Sequence, residues 1–178
     1  MRIESRTNPK AYFKGLNHLL NEQQDQAIDA FIEAVQHDPD TSELHFALGN
    51  LFRRRGEYER AVRVHQHLLS RGDLSSSDRE RAQHALAMDY LKAGILDRAE
   101  SGFRSLLDTA LAQSSLLALL SIYERTQEWA EAYDMATRLE TQGQSNFSAR
   151  SAHYLCELTE SEPEAAKRIE RLSMAVAI

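Results

Sequence analysis

Cysteine is nearly absent from this sequence of 178 residues, since Cys156 is the only one present. One cysteine cannot form an internal disulfide, and it excludes the paired-cysteine knuckles that bind zinc in many small domains. The seven histidines are scattered and form no HExxH motif. These absences predict a protein of a reducing compartment that holds no metal ion and no other cofactor.

Long apolar runs and an excess of basic charge are also missing. The sequence contains no run of about 18 apolar residues, which is the length needed to span a bilayer. Its start, MRIESRTNPK, lacks the apolar segment of a signal peptide. The formal net charge is −6, whereas nucleic-acid-binding domains carry a strongly basic face. We therefore expect a soluble, cytoplasmic chain that neither inserts into a membrane nor binds nucleic acid.

Catalytic motifs are absent as well. The glycines of "RGEY" and "SRGD" lack the Lys-Ser/Thr that follows a phosphate-binding loop, and no nucleophile–base pair at useful spacing recurs. Cys156 lies in the helix-like segment "HYLCELTE", which predicts a buried structural thiol. His153, three residues earlier, leaves a reactive thiol open as the alternative. The sequence predicts that the protein is not an enzyme.

What the sequence does contain is an internal repeat. Gly15 recurs as Gly49 and Ala27 recurs as Ala61 at one and the same interval, about 34 residues, which is the tetratricopeptide length. The next interval, from Ala61 to Ala99, is four positions longer than this first interval. The interval from Ala99 to Ala132 is one position shorter than the first. We expect the four extra residues of the longer interval to fall in a loop within "SRGDLSSSDRER", where added length costs little.

Each repeat reads as a helical hairpin. The second helices are "DQAIDAFIEAV", "ERAVRVHQHLL", "DRAESGFRSLL" and "AEAYDMATRLE", each preceded by a short turn. The pattern predicts an all-α fold: a tetratricopeptide-repeat right-handed superhelix of stacked antiparallel hairpins. A single array over residues 1–178 is expected, with repeats at about 8–41, 42–75, 80–112 and 113–145 and an atypical fifth at 146–178. Small residues at matched positions would let the helices approach closely, namely Gly15, Gly49, Ala87, Ala27, Ala61, Ala99 and Ala132.

Turn and cap residues agree with these hairpins. Gly56 and Gly94 fall in the turns inside two hairpins, where a positive φ is often required. The motif Ser77-x-x-Glu80 predicts a helix N-cap with a reaching acid at the third position.

The first helices of such hairpins line the concave face of the array, which binds segments of other proteins. Residues that recur at helical spacing along these helices form the candidate partner-binding surface. They are Tyr12, Leu16, Phe46, Asn50, Arg53, Arg54, His84, Met88, Leu117 and Ser121. Asn50 can hydrogen-bond a peptide backbone, and Arg53 or Arg54 can grip a carboxylate. The apolar anchors are Tyr12, Phe46 and Met88. An acidic and apolar peptide would suit this mixture.

The run Arg53, Arg54 and Arg55 has two interpretations. Cations in the last turn of a helix are common without any ligand, because they offset the negative end of the helix dipole. Arg55 abuts Gly56 and is better explained in this way, whereas Arg53 lies one turn after Asn50 and is the better ligand candidate. Arg54 fits either interpretation.

Several longer stretches resemble one family. They include "ELHFALGNLFRRRGEYERAVRVHQHLL", "DYLKAGILDRAESGF", "LLSIYERTQEWAEAYDMA" and "AHYLCEL". Over about residues 10–158 the chain resembles the lipopolysaccharide assembly protein B family of Gram-negative bacteria. The segments GNLFRRRGE and YLCEL go beyond what a generic repeat demands. The resemblance covers the N-terminal half of the family's repeat array, so we expect a fragment of a longer protein.

The resemblance implies a function and partners. Members of this family are non-enzymatic adaptors that bring the deacetylase committing precursor to lipid A synthesis to a membrane-bound AAA+ protease, and a membrane regulator opposes this. Family members also carry an N-terminal membrane helix that anchors them at the cytoplasmic face of the inner membrane, and a zinc domain. A generic peptide-binding or chaperone-like tetratricopeptide module is the alternative function. Self-association into a homo-oligomer is left open by the sequence.

Overall fold

The computed structural model describes residues 14–15, 17–18, 23–37, 41–143, 147–160 and 164–177. Within these ranges the chain is built from helices and the turns between them, without a strand. The helices are α1 (Gln24–His37), α2 (Ser42–Arg54), α3 (Tyr58–Ser70), α4 (Ser76–Ala93), α5 (Leu96–Arg104), α6 (Ala112–Thr126), α7 (Trp129–Thr141), α8 (Ser148–Glu160) and α9 (Ala165–Ala177). Short turns join α2 to α3, α4 to α5 and α6 to α7, as the hairpin pattern predicts.

The chain divides into two compact units, residues 1–102 and 103–178. The first holds α1 to α4, and the second holds α6 to α9, with the division falling inside α5. The single array over residues 1–178, with the repeat boundaries given above, stays a prediction.

The repeated small residues are sites of close packing. All four matched alanines, Ala27, Ala61, Ala99 and Ala132, are 0% exposed. A Cβ on Gly15 would lie 2.9 Å from the ring of Phe31. Such a distance is too short for real carbon atoms, so an alanine at this position would require the Phe31 ring to shift. This burial and this short distance are what a close approach of the helices requires.

The hairpin turns also follow the sequence prediction. Gly56 and Gly94 both have φ of +78°, the left-handed conformation that glycine adopts without steric cost. The predicted N-cap at Ser77 is wrong. The cap is Ser75, whose hydroxyl accepts a hydrogen bond from the Asp78 backbone nitrogen at 3.0 Å, so that α4 begins at Ser76.

The extra residues of the long second interval are accommodated differently from the prediction. Helix α4 has 18 residues, whereas α2 has 13. The segment "SSDRER" belongs to α4, and the loop before it runs only from Arg71 to Ser75. The added length therefore extends a helix as well as a loop.

In the second unit, α6, α7 and α8 pack around buried side chains, among them Leu119, Leu139 and Tyr154. Leu120, which stands in the fourth repeat where the earlier repeats have Gly15, Gly49 and Ala87, is also buried. The Trp129 indole stacks on Tyr154 with ring centroids 6.1 Å apart. This contact makes Trp129 a packing residue between α7 and α8.

A polar cluster ties α6 to α8. Glu124 of α6 accepts hydrogen bonds from the Tyr154 hydroxyl and from the Arg150 guanidinium, whose Nε lies 3.0 Å away. Burial alone would raise the pKa of Glu124, but these two donors bring it below its usual value. Burial, together with the hydrogen bond to Glu124, raises the pKa of Tyr154 to about 12. The hydrogen bonds of this cluster therefore favour the ionised form of Glu124.

Tyr154→Phe removes one donor from this cluster, and we expect it to lower the free energy of unfolding by about 1 kcal/mol at pH 7. The depressed pKa of Glu124 contributes stability above the carboxyl group's unfolded pKa, and this contribution is lost as the pH falls through its folded pKa. The difference between wild type and variant should therefore shrink in acid. Urea unfolding at pH 7 and pH 3.5 measures it, and an undiminished difference at pH 3.5 would argue against the cluster.

Candidate protein-interaction surface

In the first unit, the described side chains of the predicted partner-binding surface come from α2 and α4. We call Asn50, Arg53, Arg54, His84 and Met88 the first-helix surface. Asn50 and Arg54 are exposed, whereas Arg53, His84 and Met88 are half-buried.

One predicted anchor, Phe46, is not part of this surface. Phe46 is 2% exposed and packs with Leu68, Ala82 and Ala85 in a buried cluster. The guanidinium of Arg81 covers its ring at 4.1 Å from the centroid. Phe46 is therefore a core residue with almost no surface to offer a ligand, which differs from the prediction of an apolar anchor.

Four further predicted residues lie elsewhere in the chain. Tyr12 and Leu16 lie outside the described residues. Leu117 and Ser121 are exposed on α6, in the second unit. Partner binding by any of the predicted residues stays a prediction.

A buried carboxylate organises the centre of the surface. Asp89 of α4 is 0% exposed. Its Oδ1 accepts a hydrogen bond from Arg53 Nη1 at 2.7 Å, and its Oδ2 lies 2.5 Å from His65 Nδ1. Because a carboxylate only accepts hydrogen bonds, the Nδ1 of His65 carries the proton. One side chain thus connects α2, α3 and α4.

Arg53 makes two additional hydrogen bonds. Its Nη1 donates to the Ala85 carbonyl oxygen at 3.1 Å, and its Nη2 donates to Asn50 Oδ1 at 2.5 Å. With its side chain 20% exposed, Arg53 acts first as a link between helices. The sequence favoured it as the ligand-binding arginine, but its guanidinium is already occupied by Asp89, Ala85 and Asn50.

The ring of His65 is held against the backbone of α2. A Cβ placed on Gly49 would lie 2.5 Å from both Cε1 and Nε2 of His65. His65 is fully buried, and its Nε2 has no hydrogen-bond partner among the described residues. The glycine that the repeat pattern marked as a close-approach position therefore makes room for the histidine ring.

The remaining two arginines of the run differ from each other. Arg55 is the C-cap residue of α2, and its Nε lies 2.9 Å from Glu57 Oε1. This is the helix-end position that the sequence predicts. Arg54 is exposed and makes no ion pair with a described carboxylate. Arg54 is therefore the exposed arginine of this run that is not paired with a described carboxylate.

His84 adds a neutral polar group beside Arg53. Burial lowers the pKa of His84, and the positive charge of Arg53 lowers it further. Both effects favour the uncharged form of the imidazole. Together with Met88 on the same helix, it gives the surface a less polar side next to the exposed Arg54.

Comparison with known proteins identifies the repeat. The family model described as Tetratricopeptide repeat matches residues 44–80, which include most of α2, all of α3 and the start of α4. A tetratricopeptide repeat protein from Parabacteroides merdae superposes with a TM-score of 0.68 and 17% identity, covering 97% of this chain and 73% of that one. MamA from Desulfovibrio magneticus gives a TM-score of 0.68 at 14% identity, with 96% of each chain covered. The chain has a tetratricopeptide-repeat fold. The predicted all-α fold class is confirmed.

Curated relatives are more similar in sequence. Lipopolysaccharide assembly protein B of Escherichia coli K12 is 44% identical over 148 residues, which is 83% of this chain and 38% of that protein. The Haemophilus influenzae protein of the same name is 35% identical over 165 residues, 87% of this chain and 42% of that one. The resemblance to lipopolysaccharide assembly protein B is confirmed. The chain spans well under half the length of these relatives.

The tetratricopeptide fold and the similarity to lipopolysaccharide assembly protein B point to a non-enzymatic scaffold for protein interaction. In the described part of the chain, no group of three His, Cys, Asp or Glu side chains could hold a metal ion. No described helix is long and apolar enough to cross a membrane.

Cys156 and Asp89 also differ from what the sequence indicated. Cys156 is exposed on α8, so the predicted buried thiol is wrong. Asp89 was not singled out at all, although it is an acid within the largely apolar segment "HALAMDYL". An acidic residue among core residues of a helix is a sequence signal that points to Asp89. Buried carboxylates need charged or hydrogen-bonding partners, so such an acid indicates an internal polar contact.

Proposed function

We propose that this chain is a non-enzymatic adaptor in the control of lipopolysaccharide synthesis. It would bring the deacetylase that commits precursor to lipid A synthesis to a membrane-bound AAA+ protease, with a membrane regulator opposing this step. The observation that carries the proposal is the similarity to lipopolysaccharide assembly protein B over most of the chain. The proposed location is the cytoplasm, in a parent protein anchored at the cytoplasmic face of the inner membrane.

The first-helix surface has the physical features that such an adaptor needs. The Asp89 network fixes α2 relative to α3 and α4 through Arg53 and His65, so the surface is held in one arrangement before a partner arrives. Pre-organisation of this kind lowers the entropy cost of binding. Arg54, exposed beside this fixed network, can steer and orient an acidic partner.

Arg54→Glu tests this surface, and we expect it to weaken partner capture while leaving helix content unchanged, since an exposed charge contributes little to stability. Arg53 is left intact, because a glutamate there would place a second carboxylate against Asp89 and disturb the fold. The assay captures proteins from a detergent-solubilised lysate of the bacterium that encodes the chain, with mass spectrometry of the bound fraction. Arg125→Glu, an exposed arginine on α6, is the control with the same change of charge.

The proposal expects the deacetylase or the protease on the wild-type and Arg125→Glu baits, and less of it on Arg54→Glu. Equal recovery on all three baits would keep the adaptor and remove Arg54 from the interface. Recovery of unrelated proteins, with neither of the two named partners, would instead favour a generic peptide-binding module.

A further inference from the structure

A groove opens in the first unit between α3 and the turn that joins α4 to α5. Its volume is about 950 Å³. One face of α3 forms a wall with Tyr58, Val62 and Gln66, which recur at helical spacing, and Arg63 lines the groove beside them. The end of α4, the turn and α5 form the other wall with Tyr90, Ile95 and Arg98. None of these residues belongs to the first-helix surface.

The basic groups of the groove are only partly neutralised. Glu57 in the lining is held by two arginines, by Arg55 at 2.9 Å and by Arg60 at 2.8 Å. Arg63 and Arg98 are exposed, and neither forms an ion pair with a described carboxylate. Although Glu59 also lines the groove, the lining has three arginines and two glutamates in a chain whose formal net charge is −6. The groove is thus locally basic in an acidic protein.

The groove also presents apolar surface. Ile95 is 44% exposed at the turn, directly after the left-handed Gly94. The ring of Tyr90 lies under the guanidinium of Arg98 at 5.5 Å from the centroid, and its hydroxyl accepts a hydrogen bond from Gln66 Nε2 at 2.9 Å. The tyrosine ring is therefore fixed in place, with an arginine above it and an exposed isoleucine nearby.

We propose that this groove is a docking site for a short acidic segment of a partner protein that carries an apolar side chain. Arg63 and Arg98 would pair with two carboxylates, because a guanidinium holds a carboxylate with two parallel hydrogen bonds. An apolar side chain of the segment would cover Ile95 and the ring of Tyr58. A volume of about 950 Å³ accommodates several residues of such a segment. The site lies apart from the first-helix surface and does not rest on the proposed function.

The first step of the test is selection from a phage-displayed library of random 12-residue peptides against the whole chain. The proposal predicts peptides enriched in Asp or Glu next to Leu, Ile, Phe or Trp. The best peptide, labelled with a fluorophore, is then titrated by fluorescence anisotropy. Arg63→Glu/Arg98→Glu should raise its Kd at least about tenfold, and Ile95→Ser should raise it severalfold.

Two controls separate groove binding from other causes. Arg125→Glu/Arg168→Glu changes two exposed arginines of the second unit and alters the net charge by the same amount, so its Kd should stay within about twofold of wild type. Arg54→Glu, on the first-helix surface, should also leave the Kd unchanged. Selection of peptides without acidic residues would overturn the proposal. So would equal binding by wild type and Arg63→Glu/Arg98→Glu, or a loss of binding confined to Arg54→Glu.

Discussion

Asp89→Ala is expected to lower the free energy of unfolding by about 2–4 kcal/mol. The substitution removes the acceptor shared by Arg53 and His65. It leaves the protonated Nδ1 of a fully buried His65 without a partner, and it opens a small cavity in α4. The expected loss of stability is smaller than for an ion pair in which both side chains are fully buried. Arg53 is partly exposed, so water can reach its guanidinium.

Urea unfolding followed by circular dichroism measures this effect. Asp134→Ala is the matched control, since Asp134 is an exposed aspartate on α7 and its loss should change stability by less than about 0.5 kcal/mol. If Asp89→Ala were as stable as Asp134→Ala, the network could not be what holds α2, α3 and α4 together.

Gly49→Ala is expected to destabilise the protein by about 1–2 kcal/mol, as the difference between an overpacking cost and a gain in helix propensity. The new Cβ would lie 2.5 Å from the His65 ring, and the ring cannot move away without breaking its contact with Asp89. Overpacking of this kind costs about 1–3 kcal/mol, and the better helix propensity of alanine offsets up to about 1 kcal/mol.

The comparison for this prediction is Gly72→Ala. A Cβ on Gly72 meets nothing within 4 Å, so this variant should be as stable as wild type or up to about 1 kcal/mol more stable. His65→Ala combined with Gly49→Ala should show a smaller loss than the sum of the two single variants, because the clash is then absent. Strict additivity would mean that the two residues do not compete for the same space.

The architecture was largely predictable because it depends on a period. Spacing places Ala27 and Ala61 at equivalent points of successive hairpins without any knowledge of their neighbours. Glycine in a turn is equally local, which is why Gly56 and Gly94 were identified. The cap at Ser75 was missed because "SSS" offers three adjacent candidates, and only the start of the helix decides among them.

The surface was less predictable because it depends on contacts between helices. Asp89 and His65 are 24 residues apart in sequence, and their pairing follows from the packing of α3 against α4. Adjacent residues on a helix differ by about 100° in direction, so a small rotation decides which of Arg53 and Arg54 faces α4. The same rotation decides that Phe46 points into the core. Spacing alone cannot set that angle.

The proposed bridging role is tested most directly by mixing three purified proteins: this chain, the lipid A-committing deacetylase and the detergent-solubilised membrane protease. Sedimentation velocity with a fluorescent label on the chain reports every complex that contains it. The adaptor account predicts a species that appears only when all three proteins are present and that sediments faster than either pair. A chain that sediments alone in the full mixture, or one partner displacing the other, would contradict it.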